Sequence, residues 1–179
     1  VRPWRRAVLA AAALALLVGA SGCGKEGGGG VDFDAATLNV PADLGGLSVL
    51  LEPKATEKLK TSNKSQSYVA DGAVFALRRG DELKAVLQVA LFTADARPDD
   101  DEFRRTIVNQ IGGFSGQPTK VAGVPVYATE LNEQIFYVWF RDRFFETLSV
   151  RKSEAFAPAA ERVDVKALLQ EAVSLKPEI

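Results

Sequence analysis

Few side chains in this 179-residue sequence could do chemistry, and their types limit which chemistry. There is one cysteine, Cys23, and no histidine. Without histidine, His-based triads, the imidazole proton shuttle and most zinc sites are excluded. Four acidic residues run together at Asp99, Asp100, Asp101 and Glu102. Carboxylates in number can hold a hard cation such as Ca2+, but this spacing is not that of a calcium loop. An apolar-periodic stretch follows, so a helix N-terminus accounts for the run, and no metal is expected. Glu130, Glu133 and Glu146 could supply two carboxylates, as glycoside hydrolysis requires. No spacing singles out a pair among them.

Cys23 has the most specific setting. Arg2, Arg5 and Arg6 make a positive start, and residues 7–20 form an apolar run rich in Ala and Leu. Small residues and the cysteine follow. This is the layout of a secretory signal, and the run is short for a stable membrane span, which needs about 18 to 20 apolar residues. Ala20-Ser21-Gly22-Cys23 resembles the lipobox of bacterial lipoproteins, with Ala20 where that family more often has Leu. The resemblance covers the leader alone. It implies cleavage between Gly22 and Cys23 and acyl chains, palmitate among them, on Cys23. Cleavage after Val18-Gly19-Ala20 and an uncleaved anchor helix are the competing readings. The position of the one cysteine decides for the lipobox. Arg5-Arg6 followed by Leu9 also loosely resembles a twin-arginine export signal, with Trp4 and Val8 departing from its flanks. Each buried methylene contributes about 0.8 kcal/mol, so one chain anchors marginally and two or three anchor firmly.

Ser149-Val150-Arg151-Lys152 resembles the Ser-x-x-Lys of penicillin-binding proteins and class A β-lactamases, which place the serine at a helix start. Here it falls on a strand, and the family's Ser-Asp-Asn and Lys-Thr-Gly companions are missing. The run Gly112-Gly113-Phe114-Ser115-Gly116 does not meet the Gly-x-Ser-x-Gly of a nucleophile elbow. No dinucleotide or phosphate-loop fingerprint is present, so no cofactor is expected.

Charge narrows the partners. Three of the 22 basic residues leave with the leader, so 19 remain against 23 acidic ones, a net charge of −4. That disfavours nucleic acid, which selects a basic patch, and binding to anionic headgroups through bulk charge. With Cys23 acylated no disulfide can form. The fold must then rest on packing, for which ten Phe, three Tyr and two Trp supply material.

The elements that would position these residues follow from periodicity. Residues 1–22 are the signal, 23–30 a Gly-rich tether, and 31–179 one α+β domain. Residues 31–46 read as an entry segment with little regular structure. Residues 47–52 are a short strand, Pro53 starts a brief helix to Lys60, and residues 61–66 are a polar loop. Asp71-Gly72 signals a hairpin, because both residues tolerate positive φ. Residues 74–78 and 83–92 are strands around a turn at residues 79–82. A helix is expected over residues 97–113, with Phe103, Ile107, Val108 and Ile111 on one face. Residues 119–151 read as four strands joined at Ala122-Gly123, Asn132-Glu133 and Asp142-Arg143. Residues 135–140 are apolar on both faces and belong inside a sheet. Asp164 caps a last helix with Val165, Leu168, Leu169, Ala172 and Val173 on one face. The sum is a mainly antiparallel sheet of about six to eight strands with two packed helices.

The expected function is a non-catalytic, membrane-anchored extracytoplasmic lipoprotein. Its partners are the membrane, through acylated Cys23, and an envelope protein or ligand of unknown identity. The alternative is a carrier or sensor of an apolar small molecule in a cavity under Trp139, lined by Phe136, Phe140, Phe144 and Phe145. An ordinary core accounts for the same aromatics. Arg141, Asp142 and Arg143 form a hairpin tip that reads as a solvated turn, with a recognition edge as the functional reading.

Overall fold

In the computed structural model the described residues are 38–63 (backbone alone at 62 and 63), 68–94, 96–112, 117–158 and 162–177. Among them are eight strands: β1 (Asp43–Leu44), β2 (Leu47–Leu51), β3 (Val69–Arg79), β4 (Glu82–Phe92), β5 (Thr119–Val121), β6 (Val124–Leu131), β7 (Gln134–Arg141) and β8 (Phe144–Arg151). Four helices accompany them: α1 (Pro53–Asn63), α2 (Asp101–Gly112), α3 (Lys152–Ala155) and α4 (Val165–Ser174). The fold is α+β, with four helices where two packed ones were expected: the brief helix from Pro53 is α1, and α3 is a single short turn besides. The strands form one antiparallel sheet in the order β1-β2-β3-β4-β8-β7-β6-β5. Two meanders of four strands thus meet at a seam between β4 and β8. The chain leaves β4 through α2, enters the far edge at β5, and meanders back until β8 closes on β4.

Local chemistry explains the second meander. Its strands are joined by two-residue turns, and Ala122, Gly123, Asn132, Glu133 and Asp142 all have positive φ. Turns with positive φ match the right-handed twist of the paired strands. The strand boundaries expected from the sequence hold here throughout. At α2 the acidic run splits its roles. The Asp100 carboxylate accepts from the N–H groups of Glu102 at 2.8 Å and Phe103 at 3.3 Å. Asp100 is therefore the cap, and the helix starts at Asp101 rather than at residue 97. Asp101 and Glu102 lie in the first turn, where their charge favours the helix dipole. Asp164 caps α4 by accepting from the Ala167 N–H at 3.0 Å.

Three expectations in the first half need correction. Asp71-Gly72 is not a hairpin turn but lies inside β3, beside a shift in the β3–β4 register. Asp71 accepts from the Gly72 N–H at 2.7 Å and pairs with Lys60 at 3.1 Å. A side chain on Gly72 would come within 2.8 Å of Leu59 and 3.0 Å of the Val89 carbonyl, so the glycine serves the close approach of α1. The helix from Pro53 runs to Asn63 rather than Lys60, taking in residues read as loop. Thr61 there folds its hydroxyl back onto the Glu57 carbonyl at 2.8 Å. The entry segment contains β1, whose two residues are too few to leave a periodic signal.

The sheet is covered on both faces. Along β7, Trp139 joins the larger apolar cluster while its neighbours Val138 and Phe140 join a second one. Successive side chains of a strand point to opposite faces, so the two clusters lie on opposite sides. The larger includes Leu168, Leu169, Ala172 and Val173 of α4. The smaller includes Ile107 and Val108 of α2.

Candidate functional site

The strand register decides which candidate residues meet. Glu146 on β8 lies directly across from Trp139 on β7 and, on its other side, from Val89 on β4. All three point into the larger core beneath α4. Glu146 is only 1% exposed and Trp139 is fully buried. Arg141, two residues past Trp139 on β7, shares this face and lies across from Phe144. Glu146 and Arg141 are therefore diagonal neighbours, within reach of a long side chain. Arg141 Nη2 donates to the Val173 carbonyl, in the last turn of α4, where backbone acceptors lack intrahelical donors.

Three buried polar atoms in this cluster have no hydrogen-bond partner: Glu146 Oε2, Trp139 Nε1 and Arg141 Nη1. Burial pushes the Glu146 carboxyl up to about 7, because the charged form loses its water. The Arg141 charge, and then the nearby Trp139 indole, pull it back only in part. The indole acts on the carboxylate, although neither Trp139 Nε1 nor Glu146 Oε2 closes a hydrogen bond.

The other carboxylates lie elsewhere. Glu130 faces Ile135 across the β6–β7 ladder, four residues along β7 from Trp139. At about 3.3 Å per residue this sets it roughly 13 Å from Glu146 along the strands. Glycosidase pairs stand about 5 to 10 Å apart, so neither Glu130 nor Glu133, a turn further on, faces Glu146. Glu130 instead forms an ion pair with Lys152 at 2.6 Å. That ion pair also uses the lysine of Ser-x-x-Lys. Ser149 is buried within β8, whereas Lys152 lies past the end of that strand, at the start of α3. Its partner Glu130 is in register with Ile135 and Val150, on the face opposite to that of Ser149, so Ser149 and Lys152 do not converge. Lys84 is held by two carboxylates, Glu154 and Glu82, each at 2.8 Å. Its hydrogen bond to Glu154, then that to Glu82, raise its pKa.

The aromatic residues pack mostly on one another. Phe92 stacks on Phe140 with centroids 6.2 Å apart and meets Phe103 edge-on at 5.3 Å. Phe145 lies 5.5 Å from Phe140, and the Arg104 guanidinium sits 5.8 Å above the same ring. This is the second core, beneath α2. Phe144 belongs to the larger cluster on the other face, so the expected aromatic lining is divided by the sheet. At the hairpin tip Arg143 donates to the Phe92 carbonyl at 2.9 Å and Arg141 to Val173, while Asp142 and the body of Arg143 are exposed. Among the described residues no cluster of potential metal ligands occurs, and no helix is long and apolar enough to cross a membrane. Gly22, Cys23 and residues 113–116 lie outside the described residues.

The role of Arg141 and the burial of Glu146 were missed from the sequence, though a signal was present. Phe144, Glu146, Leu148 and Val150 alternate on one face of β8, so an inward carboxylate could be read from the pattern. No protein-family model, no curated protein and no solved structure matches the chain.

Proposed function

We propose that this protein is an extracytoplasmic lipoprotein held at a membrane by acyl chains on Cys23, with a non-catalytic binding or interaction domain. One observation carries the reading: the only cysteine of the chain stands directly after Ala20-Ser21-Gly22, at the end of a positively charged and then apolar leader. The placement of the chemically capable side chains supports the non-catalytic part. Ser149 is built into a strand, Glu130 is paired with Lys152, and Asp100 caps a helix. A partner could cover the two large apolar side chains left exposed among the described residues, Leu50 and Phe156, the latter 75% exposed.

The test is the denatured mass of protein extracted from its own membrane. The expected result is a chain beginning at Cys23 and carrying two or three acyl chains, with Cys23→Ala leaving the membrane fraction. A chain beginning at Ser21 without added lipid would sink the proposal.

A further inference from the structure

Arg141 stands between two acceptors. Its Nη2 donates to the Val173 carbonyl at the C-terminal end of α4. Its Nη1 is buried without a partner, as is Oε2 of Glu146 diagonally across the β7–β8 ladder. A guanidinium is always charged and donates in a rigid fork. It cannot serve the carbonyl and an ionised carboxylate equally well unless both lie in its plane. We propose that Arg141 is a two-position tether for α4, set by whether Glu146 carries a proton.

With Glu146 neutral, the carboxyl places no charge in the core and Arg141 holds the last turn of α4. With Glu146 ionised, the buried negative charge needs a partner, since an unpaired buried charge is strongly destabilising. Arg141 is then drawn to it, the Val173 carbonyl loses its donor, and α4 loosens from its C-terminal end. The change in protonation falls near neutrality, because burial raises the carboxyl to about 7.

The surroundings leave this exchange to the pair. From β7, Tyr137 shares the face, with its hydroxyl pKa raised first by burial and then by Glu130. From β4, the residue across from Glu146 is Val89. On α4 the charged side chains are Lys166 and Glu171, both exposed, and Glu171 is engaged by the Gly45 N–H at 2.6 Å. Asp43 on β1 is exposed and accepts from the Gly46 N–H at 3.2 Å. Lys176, past α4, and Arg143, in the β7–β8 turn, are exposed as well.

Hydrogen exchange on the full chain at pH 5.5 and 8.0, corrected for the intrinsic pH effect, tests the tether. Amides of α4 should lose protection by about tenfold or more at pH 8.0, while those of α1 hold theirs. Glu146→Gln should keep α4 protected at both values. Arg141→Met should leave α4 weakly protected at both. Equal α4 protection at the two pH values in the wild type would overturn the proposal, whether or not the variants fold. So would a wild-type loss shared in full by α1, or one that persists in Glu146→Gln.

Discussion

The two faces of the sheet are built on different physics. Beneath α2 the core is a mat of rings: Phe92, Phe103, Phe140 and Phe145, with Tyr68 closing it at one side. The Tyr68 hydroxyl is satisfied by Gln110 at 2.7 Å. Beneath α4 the core is mostly aliphatic but contains a carboxyl, an indole and a guanidinium with partners missing. Aromatic contacts depend on ring geometry and not on pH. A buried carboxyl ties its face to the proton concentration. One sheet thus supports a face indifferent to pH and a face linked to it. What separates them is a single inward position on β8, where Glu146 stands among Phe144, Leu148 and Val150.

Neighbouring residues of β7 give the strongest test of this contrast, since their side chains enter opposite cores. Trp139→Ala should cost about 4 to 5 kcal/mol and Phe140→Ala about 3 to 4, both within the usual range for large core truncations. Denaturant titrations at pH 5 and 8 would measure them. The Trp139 variant should also shrink the pH dependence of stability, because water entering the cavity would solvate Glu146 and return its pKa toward 4.5. The Phe140 variant should lower stability at both pH values equally. If the pH dependence survives in the first or vanishes in the second, the division between the faces is wrong.

Glu146→Gln comes next in size. The folded carboxyl sits at about 7 against an ordinary 4.5, so the native state binds this proton more tightly than the unfolded chain. For this group stability is fully present below pH 4.5, falls as pH rises toward 7, and is flat above. A shift of this size corresponds to about 3 kcal/mol, at about 1.4 kcal/mol per pKa unit. Relative to Glu146→Gln, the wild type should lose about that much between pH 4.5 and 8. Parallel stability curves for the two proteins would show that Glu146 titrates normally and that the polar cluster is open to water.

How far the sequence reveals this arrangement differs by region for physical reasons. The second meander is legible because each turn falls between alternating runs that are themselves unambiguous. Helix α4 is legible because Asp164 and four inward residues agree on one register. Asp71-Gly72 misleads because tolerance of unusual backbone suits a turn and equally a register shift inside a strand. What excluded the turn is Leu59, thirteen positions away from Gly72 and brought close only by tertiary packing. The seam is illegible for a similar reason. That β8 rather than β5 lies beside β4 follows from where α2 carries the chain, which no local pattern records. At the site, the carboxylates are visible as candidates, but the pairing of Glu146 with Trp139 and Arg141 depends on register and on which face α4 covers.

The smallest contrast concerns the two helices, which share a device: an aspartate accepting backbone N–H groups at the N-terminus. Losing such a cap costs about 1 kcal/mol, and asparagine replaces it nearly in full. The effect of that loss should differ between the faces. Helix α4 buries Leu168, Leu169, Ala172 and Val173, whereas α2 buries Ile107 and Val108. A helix that contributes more to the core unfolds with the whole, while one that contributes less can fray alone. Asp164→Ala should therefore lower global stability by about 1 kcal/mol. Asp100→Ala should lower it by less, and show its loss instead as faster amide exchange confined to the first turn of α2. Asp164→Asn and Asp100→Asn should both stay within a few tenths of a kcal/mol of the wild type. A larger global cost at Asp100 than at Asp164 would mean that α2, for all its smaller buried face, is the helix on which cooperative folding depends.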